Sequence, residues 1–554
     1  EALGMAGRYG FYEAADFTPS RLSGGSSFEI VRSYMAHHLG MSLVAIDNAL
    51  TEDVMQRRFL SDRTMAAYRE LLQERVPVGA PVMRRRDGAA PERPRRRQGP
   101  DLLRTGEGAG RLSPRCHLVS EGGYCVFAAD NGQTRSSLGR DVITLAEPGE
   151  YQAPAGVSWF FSGAEGMIGL TAAPLYRGDC RYSWEFYDGG AVWTCQRGGL
   201  TARTGLALAR LGSGELRRAE LHWDGEGVLE GELLCYLEPV LCGERDHLAH
   251  PAFSKLFVES RAIPGGVSFR RRPRGAEEHP VLAALWDGEG STFTTSRQAA
   301  LGRGGLRALA GGGPGPLKGE TGAVLDPCLM VRLPVRLRPG ESCALRLALG
   351  VSDRLDAAAD TAQRLLEGRE EPGGMLAPIA QRLGLDQVQA LGAFALLRHL
   401  ASVRPGAEGR PPQCELWQFG ISGDLPIAAA PLEGGVGEDK IGLWCAQHRF
   451  LTRAGWPFDL VFLAEEGGDY RRPLLTAVRE ALRALGAESA LGARGGVHLV
   501  DPGEGFPTVL AWASARLPLE LMEEEPEHWT PPPAVSVRPE PAPWHFDQAG
   551  SVVI

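Results

Sequence analysis

The chain has 554 residues, of which 43% are hydrophobic and 23% are charged, and its formal net charge is −9. This composition is typical of globular proteins with sizeable cores, and the length allows roughly three to four ordinary domains. The acidic balance gives no reason to expect a nucleic-acid partner, and no stretch approaches the roughly 20 apolar residues of a membrane-spanning helix.

The start of the chain carries no recognisable targeting segment. Residue 1 is Glu, and no basic stretch followed by an apolar one marks a signal peptide. Because the sequence opens inside an apparent structural unit, we expect it to be truncated at this end.

The cysteines are scattered, without a Cys-x-x-Cys pair or a histidine at zinc-finger spacing. This pattern favours buried free thiols in a reducing compartment over a disulfide framework, and no metal site is expected. The cysteines are Cys116, Cys125, Cys180, Cys195, Cys235, Cys242, Cys328, Cys343, Cys414 and Cys445.

Residues 1–78 have a helical pattern. Ser26 and Glu29 have the spacing of a capping box, and apolar residues then recur at steps compatible with one buried helical face. A second helical stretch is predicted from Glu52 to Arg75. The positions that fall on this face are Phe28, Val31, Met35, His38, Ala45 and Ala49.

Residues 79–114 are rich in Arg, Pro and Gly and cannot build a core. We interpret them as a solvated linker, although a basic run can also bind phosphate or an acidic surface.

Residues 115–350 are predicted to form a β-sandwich, because short apolar or aromatic runs alternate with Gly-rich turns. The pentapeptide Trp-Asp-Gly-Glu-Gly occurs at residues 223–227 and again at residues 286–290, and Asp-Gly favours tight turns. The repeat indicates either two related halves of the sandwich or a coincidence in a Gly-rich chain.

The C-terminal third changes pattern twice. Residues 351–405 have helical spacing, and residues 406–522 alternate between strand-like and helix-like stretches, which indicates a small α/β unit. Its strands are predicted at residues 425–428, 459–463 and 497–500, with helices at about 436–454 and 472–487. The Pro-rich tail, residues 523–554, is expected to be extended.

Several blocks of sequence resemble the cyclic β-1,2-glucan synthases of bacteria. Residues 9–19 and 32–42 are similar to the final helices of that family's glucoamylase-like barrel, although Leu39 stands where the family usually has Gln. Residues 250–259, residues 322–327 and residues 416–427 are similar to the large sandwich and the segment that follows it. The likeness weakens after about residue 525.

The resemblance implies a multidomain mixed fold: the C-terminal helices of an (α/α)6-type barrel, a large antiparallel supersandwich, and helices with a small α/β unit. In the family, a membrane glycosyltransferase uses UDP-glucose as donor, the glucoamylase-like domain closes the ring by transglycosylation, and a phosphorylase-like portion controls length. The fragment itself would need no cofactor. Its implied partners are β-1,2-glucan chains and the missing catalytic domains, at the cytoplasmic side of the inner membrane.

Glu13 is the best candidate for chemistry, since it lies in an aromatic, Gly-punctuated segment. Retaining glycosyl transfer needs two carboxylates about 5 Å apart, and the resemblance implies Glu13 as one of them, its partner lying upstream of this chain. The alternative is a carboxylate at a helix end. Its role as nucleophile or acid is left open.

Other residues are candidates for sugar binding beside Glu13. Asp16 is either a supporting carboxylate or a cap. His37 and His38 are expected to point in different directions from one helix, as a sugar contact or as buried structural residues. Tyr9, Tyr12 and Tyr34 are candidates for stacking on glucose or for core packing. In the other blocks, His250, Ser254 and Lys255 are expected either to be structural or to contribute to a neighbouring site across a domain interface. Asp424 is expected to be a turn carboxylate.

Other chemistries fail on spacing, since the chain lacks a nucleophile elbow, a dinucleotide fingerprint, a phosphate loop and a His-Glu-x-x-His motif. Two functions remain. One is an enzyme part that contributes Glu13 to a ring-closing transglycosylase. The other is a binding and scaffold module, whose sandwich orients barrels or holds glucan without turnover of its own. The alternative parent for such a non-catalytic carbohydrate-binding or structural module is a glycoside phosphorylase-like protein. We expect the parent protein to be an enzyme and the isolated chain to be inactive.

Overall fold

The computed structural model describes most of the chain and divides it into two compact units, residues 1–95 and residues 96–554. The described residues are 4–17, 28–62, 65–66, 99–110, 114–145, 156–273, 278–302, 305, 317–369, 372–401, 410–432, 438–464, 472–500, 505–518, 545–546 and 552–553.

The first unit begins with two small antiparallel pairs of strands. Strands β1 (Ala6–Gly7) and β2 (Gly10–Phe11) pair with each other, as do β3 (Ala14–Asp16) and β4 (Glu29–Val31). The prediction of a helix that starts after Ser26 is therefore wrong at residues 29–31. The β-branched pair Ile30 and Val31 favours a strand, and Ser26 lies outside the described residues.

Two helices follow in the first unit, α1 (Ala36–Leu50) and α2 (Val54–Phe59). The side-chain amide oxygen of Asn48 accepts a hydrogen bond from the backbone N–H of Met55 at 2.9 Å, which satisfies a free donor at the start of α2. No residue of α1 is buried. The predicted buried face is therefore wrong for the described part of this unit.

The second unit begins before the predicted end of the linker. Leu102 is buried, and β5 (Arg104–Glu107) pairs with a strand of the sandwich at residues 183–186. The linker prediction is wrong for these residues, because Arg104 lies against aromatic rings rather than in solvent: its guanidinium carbon is 4.3 Å from the ring centre of Phe394. Residues 79–98 lie outside the described part.

The sandwich is built from antiparallel strands over residues 104–352, as predicted for residues 115–350. The strands before residue 224 are β6 (Cys116–Glu121), β7 (Tyr124–Ala129), β8 (Thr134–Leu138), β9 (Asp141–Thr144), β10 (Ser158–Gly163), β11 (Gly166–Gly169), β12 (Arg181–Tyr187), β13 (Gly190–Arg197), β14 (Leu200–Ala209) and β15 (Ser213–Trp223). The later elements are β16 (Leu229–Leu237), β17 (Pro239–Gly243), α3 (Glu244–Ala249), α4 (Pro251–Lys255), β18 (Val258–Ile263), β19 (Gly266–Arg271), β20 (Val281–Asp287), β21 (Thr292–Ser296), α5 (Arg297–Leu301), β22 (Pro327–Leu337) and β23 (Glu341–Ser352).

Within the described residues these strands form three sheets. Sheet A has the order β18-β19-β20-β23-β15-β14-β13-β12-β5, sheet B has the order β11-β10-β16-β22-β21, and sheet C has the order β17-β9-β8-β7-β6. Their facing side chains share one apolar core that includes Trp159, Phe186, Trp193 and Phe269. Burial of each such side chain stabilises the fold by roughly 1.5–3 kcal/mol.

The repeated pentapeptide forms equivalent turns that cross between sheets A and B. The first follows β15 and leads into β16, and the second follows β20 and leads into β21. Since β15 and β20 both flank β23, while β16 and β21 both flank β22, the turns lie side by side at one end of the sandwich. The connection from β22 to β23 lies between them, and the N–H of Gly340 donates to the carbonyl of Trp223 at 2.6 Å.

The tryptophan of each repeat braces its own turn. The indole N–H of Trp223 donates to the carbonyl of Gly227 at 3.0 Å, and that of Trp286 donates to the hydroxyl of Ser291 at 3.1 Å. Because the copies have the same role at neighbouring positions, the repeat is explained by turn geometry.

An ion pair lies inside the sandwich, between Glu215 and Arg217 of β15, and both side chains are buried. Arg217 donates to one carboxylate oxygen of Glu215 at 2.7 and 3.0 Å. The other oxygen accepts from Tyr124 at 3.2 Å and from Ser136 at 2.7 Å. Every carboxylate oxygen therefore has partners, which is the condition for burying a charge without a large penalty.

Three helices follow the sandwich. Helix α6 (Leu355–Leu366) packs on β23, β20 and β15 of sheet A, whereas α7 (Leu376–Arg382) and α8 (Gln387–Ala401) contact β6 of sheet C. The short strand β24 (Pro372–Gly373) pairs with β14. Helix α6 approaches β23 so closely that a Cβ at Gly350 would lie 1.9 Å from the carbonyl oxygen of Ala358. Only glycine fits at that position.

A small parallel sheet follows, whose strands lie side by side in the order Val497–Val500, Asp459–Leu463, Ile427–Pro431 and Ala515–Arg516. Its strands at residues 459–463 and 497–500 coincide with the predicted ones, and the strand predicted at 425–428 lies slightly later. The elements are a 3₁₀ helix (Gln413–Phe419), β25 (Ile427–Pro431), α9 (Glu438–Arg453), β26 (Asp459–Leu463), α10 (Pro473–Ala484), β27 (Val497–Val500), α11 (Gly505–Trp512) and β28 (Ala515–Arg516).

The cysteines are all free, and most of them are buried. In the part of the chain that the structure describes, no helix is both long and apolar enough to cross a membrane. Of the Pro-rich tail, the structure describes the strand pair β29 (His545–Phe546) and β30 (Val552–Val553).

Candidate functional site

Glu13 lies in a bend between β2 and β3 of the first unit. Its backbone N–H donates to the carbonyl of Ser33 at 3.0 Å, just beyond the ladder in which Ala14 pairs with Val31. This bond ties Glu13 to the segment that enters α1. The side chain of Glu13 is 15% exposed, so it is mostly covered but still reaches solvent.

His38, in the first turn of α1, contacts the carboxylate of Glu13 through its Nδ1 atom. When Nδ1 carries the proton, the imidazole donates to the carboxylate and holds its direction. The ring of His37 lies 4.0 Å from that of His38, between centroids. The expectation that these neighbours point apart is therefore wrong, because the exposed start of the helix lets both rings turn to one side.

The tyrosines form a cluster on the same part of the unit. The ring of Tyr34 lies 5.3 Å from that of Tyr12 and 5.9 Å from that of Tyr9, between centroids. The rings cover Gly7, where a Cβ would lie 2.1 Å from the hydroxyl oxygen of Tyr34. Glu13 is next to Tyr12 in sequence, so a carboxylate, imidazoles and aromatic rings are brought together here.

Asp16 lies at the other end of β3, where it pairs across the ladder with Glu29. The structure therefore places it away from the bend that holds Glu13. A second catalytic carboxylate that lies upstream remains a prediction. Among the described residues, no three His, Cys, Asp or Glu side chains form a group that could hold a metal ion.

An apolar groove of about 670 Å³ runs along α1 and α2 in the same unit. Met41, Val44, Ala45 and Ala49 contribute to its lining. Several other apolar side chains of α1, including Leu43, are exposed.

In the second unit, the block of residues 250–259 forms α4 and the start of β18. His250 is exposed and precedes α4, whereas Ser254 is buried. The hydroxyl of Ser254 accepts from Arg271 at 3.2 Å and lies 3.3 Å from Nδ1 of His247. Ser254 therefore has an internal structural role, as expected from the sequence.

Lys255 belongs to a buried charge network that sequence reasoning missed. Its ammonium group lies 2.6 Å from Glu238 and 3.2 Å from Asp326. Glu238 also accepts from Arg297 at 3.1 Å and from the hydroxyl of Tyr236 at 2.5 Å. Burial lowers the pKa of Lys255, but Glu238 and Asp326 outweigh that effect and raise it, so Lys255 is charged at neutral pH.

Asp424 lies in the turn after the 3₁₀ helix. Its carboxylate accepts from Arg245 of α3 at 2.5 Å and from the amide of Gln413 at 3.2 Å. The predicted turn role is therefore only part of its environment, because Asp424 also joins the α/β unit to the sandwich. Arg245 and Gln413 carried no sequence signal that could have identified them.

A comparison with known families matches residues 103–367 to the supersandwich domain of glycosyl hydrolase 94. The chain is also 28% identical over 521 residues to the cyclic beta-(1,2)-glucan synthase NdvB of Rhizobium meliloti (strain 1021). That alignment covers 87% of this chain and 18% of the relative.

Solved structures align less closely. A bacterial glucoamylase complexed with acarbose has a TM-score of 0.29 and 10% identity, over 50% of this chain and 36% of that chain. A putative kojibiose phosphorylase from the human microbiome has a TM-score of 0.29 and 7% identity, over 55% of this chain and 39% of that chain.

Of the blocks that carried the resemblance, residues 250–259 and residues 322–327 lie inside the region matched to the supersandwich family. The sandwich of residues 104–352 lies inside the region matched to the supersandwich family, and the alignment with the synthase extends over most of the remaining chain. The resemblance is therefore confirmed: this chain is similar to a cyclic β-1,2-glucan synthase, and residues 103–367 are similar to the supersandwich domain of glycosyl hydrolase 94.

Proposed function

We propose that this chain is part of a cyclic β-1,2-glucan synthase and acts within it as a glucan-binding and scaffolding segment. The observation that carries the proposal is the alignment of 87% of the chain with a protein of that name. The relationship to carbohydrate-active proteins covers the sandwich as well. In the parent protein, the transferase that uses UDP-glucose and the inner-membrane location belong to other parts of the polypeptide.

We propose further that residues 1–78 are the end of a glucoamylase-like (α/α)6 barrel. Helices α1 and α2 support this, because their apolar side chains, such as Met41 and Ile46, are exposed and need a covering surface. In the complete barrel, neighbouring helices would bury them.

Glu13 would then supply one of two carboxylates for ring closure. In a retaining transfer, one carboxylate attacks the anomeric carbon as the other protonates the departing oxygen. A hydroxyl of the glucan then attacks the anomeric carbon, the bond to the first carboxylate breaks, and the second carboxylate takes the proton of the hydroxyl. His38 would hold Glu13 in position, and Tyr12 and Tyr34 would contact glucose rings. His37 and Asp16 are the further binding candidates. Without the second carboxylate the isolated chain completes no cycle.

The test incubates the intact chain with linear β-1,2-gluco-oligosaccharides and measures binding by calorimetry and product lengths by mass spectrometry. We expect binding with unchanged lengths. Redistributed or ring-sized products that disappear in Glu13→Gln, but persist with the exposed control Glu52→Gln, would contradict the scaffold role. Absence of binding would contradict the glucan-binding role.

In the whole synthase, Glu13→Gln should abolish cyclic product while linear glucan continues to form. Glu52→Gln, which changes an exposed carboxylate of the same unit, should leave ring closure intact. Normal ring formation by Glu13→Gln would contradict the role of Glu13.

A second candidate is a non-catalytic module of a glycoside phosphorylase-like protein, favoured by the match of residues 103–367 to the glycosyl hydrolase 94 supersandwich. Both candidates predict that the chain binds these oligosaccharides, so unchanged ring formation by Glu13→Gln in the parent protein is the result that would favour this candidate.

A further inference from the structure

The 3₁₀ helix of the α/β unit presents Trp417 to solvent. Its side chain is 59% exposed, and no other tryptophan of the described residues is among the exposed large apolar side chains. The indole N–H donates to the carbonyl of Ser422 at 3.3 Å. The ring is thus held by its edge while much of its surface remains uncovered.

The turn that holds Trp417 is polar and is braced by side-chain hydrogen bonds. The carbonyl of Ser422 also accepts from the side-chain amide of Gln413 at 2.8 Å, and the same amide nitrogen donates to Asp424 at 3.2 Å. Gly423 has a φ of +71°, and a Cβ there would lie 2.9 Å from side-chain atoms of Gln413 and Leu416. A binding surface built on such a turn loses little conformational entropy when a ligand docks.

Two guanidinium groups converge on the same turn from separate elements. Arg245 of α3 donates to one oxygen of Asp424 at 2.5 Å, and Arg494 lies 3.9 Å from the other oxygen. The side chains of Arg245 and Arg494 are 77% and 64% exposed. A guanidinium has five N–H donors, so both arginines keep donors directed toward solvent.

This combination complements a sugar ring. A pyranose has a C–H face that stacks on an aromatic ring and hydroxyls that exchange hydrogen bonds with amide, guanidinium and carboxylate groups. A nucleic acid fits less well, because Asp424 and the exposed Glu415 offset the arginines and the chain has a net charge of −9.

We propose that Trp417, with Gln413, Asp424, Arg245 and Arg494, forms a surface subsite for glucose units of a β-linked glucan. The inference rests on the proposed glucan-binding function and gives it a location. The subsite lies where the α/β unit meets the sandwich, since Arg245 comes from the sandwich and the other residues come from the α/β unit.

The test titrates linear β-1,2-gluco-oligosaccharides into the intact chain, with calorimetry as the readout. Loss of the stacking ring in Trp417→Ala should weaken binding by about tenfold or more. Trp417→Phe keeps an aromatic face and should restore most of the affinity. Arg494→Ala should weaken binding by a smaller factor. The matched control is Leu325→Ala, which removes a side chain that is 82% exposed on the same unit.

Each outcome decides the proposal. If Trp417→Ala binds as tightly as the parent chain, the subsite is overturned while glucan binding itself stands. If the parent chain binds no oligosaccharide, the proposed function fails as well. If Trp417→Ala changes self-association but not glucan affinity, the ring belongs to a protein contact and the subsite is overturned. If Trp417→Ala does not fold, Trp417→Phe and Arg494→Ala decide, and unchanged affinity in Arg494→Ala with equal thermal stability would contradict the assignment.

Discussion

Lys255 and Asp326 belong to separate sequence blocks that resemble the synthase family, and their charged groups meet at 3.2 Å. Lys255 ends α4, and Asp326 directly precedes β22. Glu238 shares the same ammonium group at 2.6 Å. Residues of the two blocks thus form one salt-bridge network, which links α4 to the start of β22.

Replacing Lys255 by Met should lower the free energy of unfolding by about 2–3 kcal/mol, because the change leaves Glu238, which is 7% exposed, without its nearest cation. Urea unfolding followed by circular dichroism measures the effect. The control Lys318→Met removes an exposed lysine of the same unit and should stay within about 0.5 kcal/mol. Equal effects of the substitutions would contradict the role of the network.

Replacing Glu215 by Leu should destabilise the chain by about 3–5 kcal/mol, since it leaves the Arg217 guanidinium buried without an anion. The double variant Glu215→Leu with Arg217→Met removes both charges and should recover much of the loss. Denaturant unfolding of the parent chain, the single variants and the double variant gives the coupling energy. Additive losses would show that the charges do not depend on each other.

His448 should make the chain sensitive to acid. Burial lowers the pKa of His448 to about 4, while an unfolded histidine has a pKa of about 6.5. The unfolded chain therefore binds a proton first as the pH falls, and stability is lost between about pH 6.5 and pH 4, by up to about 1.4 kcal/mol per pH unit.

The measurement compares unfolding free energies at pH 7.5 and pH 4.5 for the parent chain and for His448→Gln. Other groups titrate in this range too, so the difference between the chains is the quantity of interest. The variant should lose about 2 kcal/mol less than the parent chain over this interval. Parallel pH profiles would contradict the assignment.

Replacing Trp286 by Phe removes the indole donor to the hydroxyl of Ser291 and should cost about 1 kcal/mol. Ser291→Ala breaks the same bond from the other side. Chemical unfolding of both single variants and the double variant tests the bond, because the second change should add little once the first is made. Independent losses would mean that the bond does not brace the turn.

The strands of the α/β unit are predictable from sequence because a short apolar run bounded by turns is sufficient evidence. Asp459–Leu463 has that form and is buried throughout. The capping-box spacing of Ser26 and Glu29 led to a wrong helix prediction at residues 29–31, because two side chains alone are weak evidence for a helix start. The β-branched residues after Glu29 pair with β3 instead.

The burial of the charged residues of β15 could not be predicted from the alternation of polar and apolar residues along the strand. Glu215 and Arg217 face the sandwich, while Leu216 packs on the other face, toward residues of α6 such as Leu365. Because sheet A is covered on both faces at this strand, polar and apolar positions no longer mark solvent and core. Likewise, the environment of Asp424 depends on Arg245 from a distant part of the chain, which no local pattern indicates.

The paired pentapeptide turns have a consequence for the symmetry of the sandwich. Strands β15 and β16 relate to β20 and β21 by a shift of two positions across each sheet, with β23 and β22 as the shared centre. This translation is not evident from the order of strands along the chain, because β17, β18 and β19 lie between β16 and β20 in sequence. Positions in the pair β15–β16 therefore have counterparts in the pair β20–β21. The same substitution can be made at matched positions of the two pairs and its effects compared within one molecule.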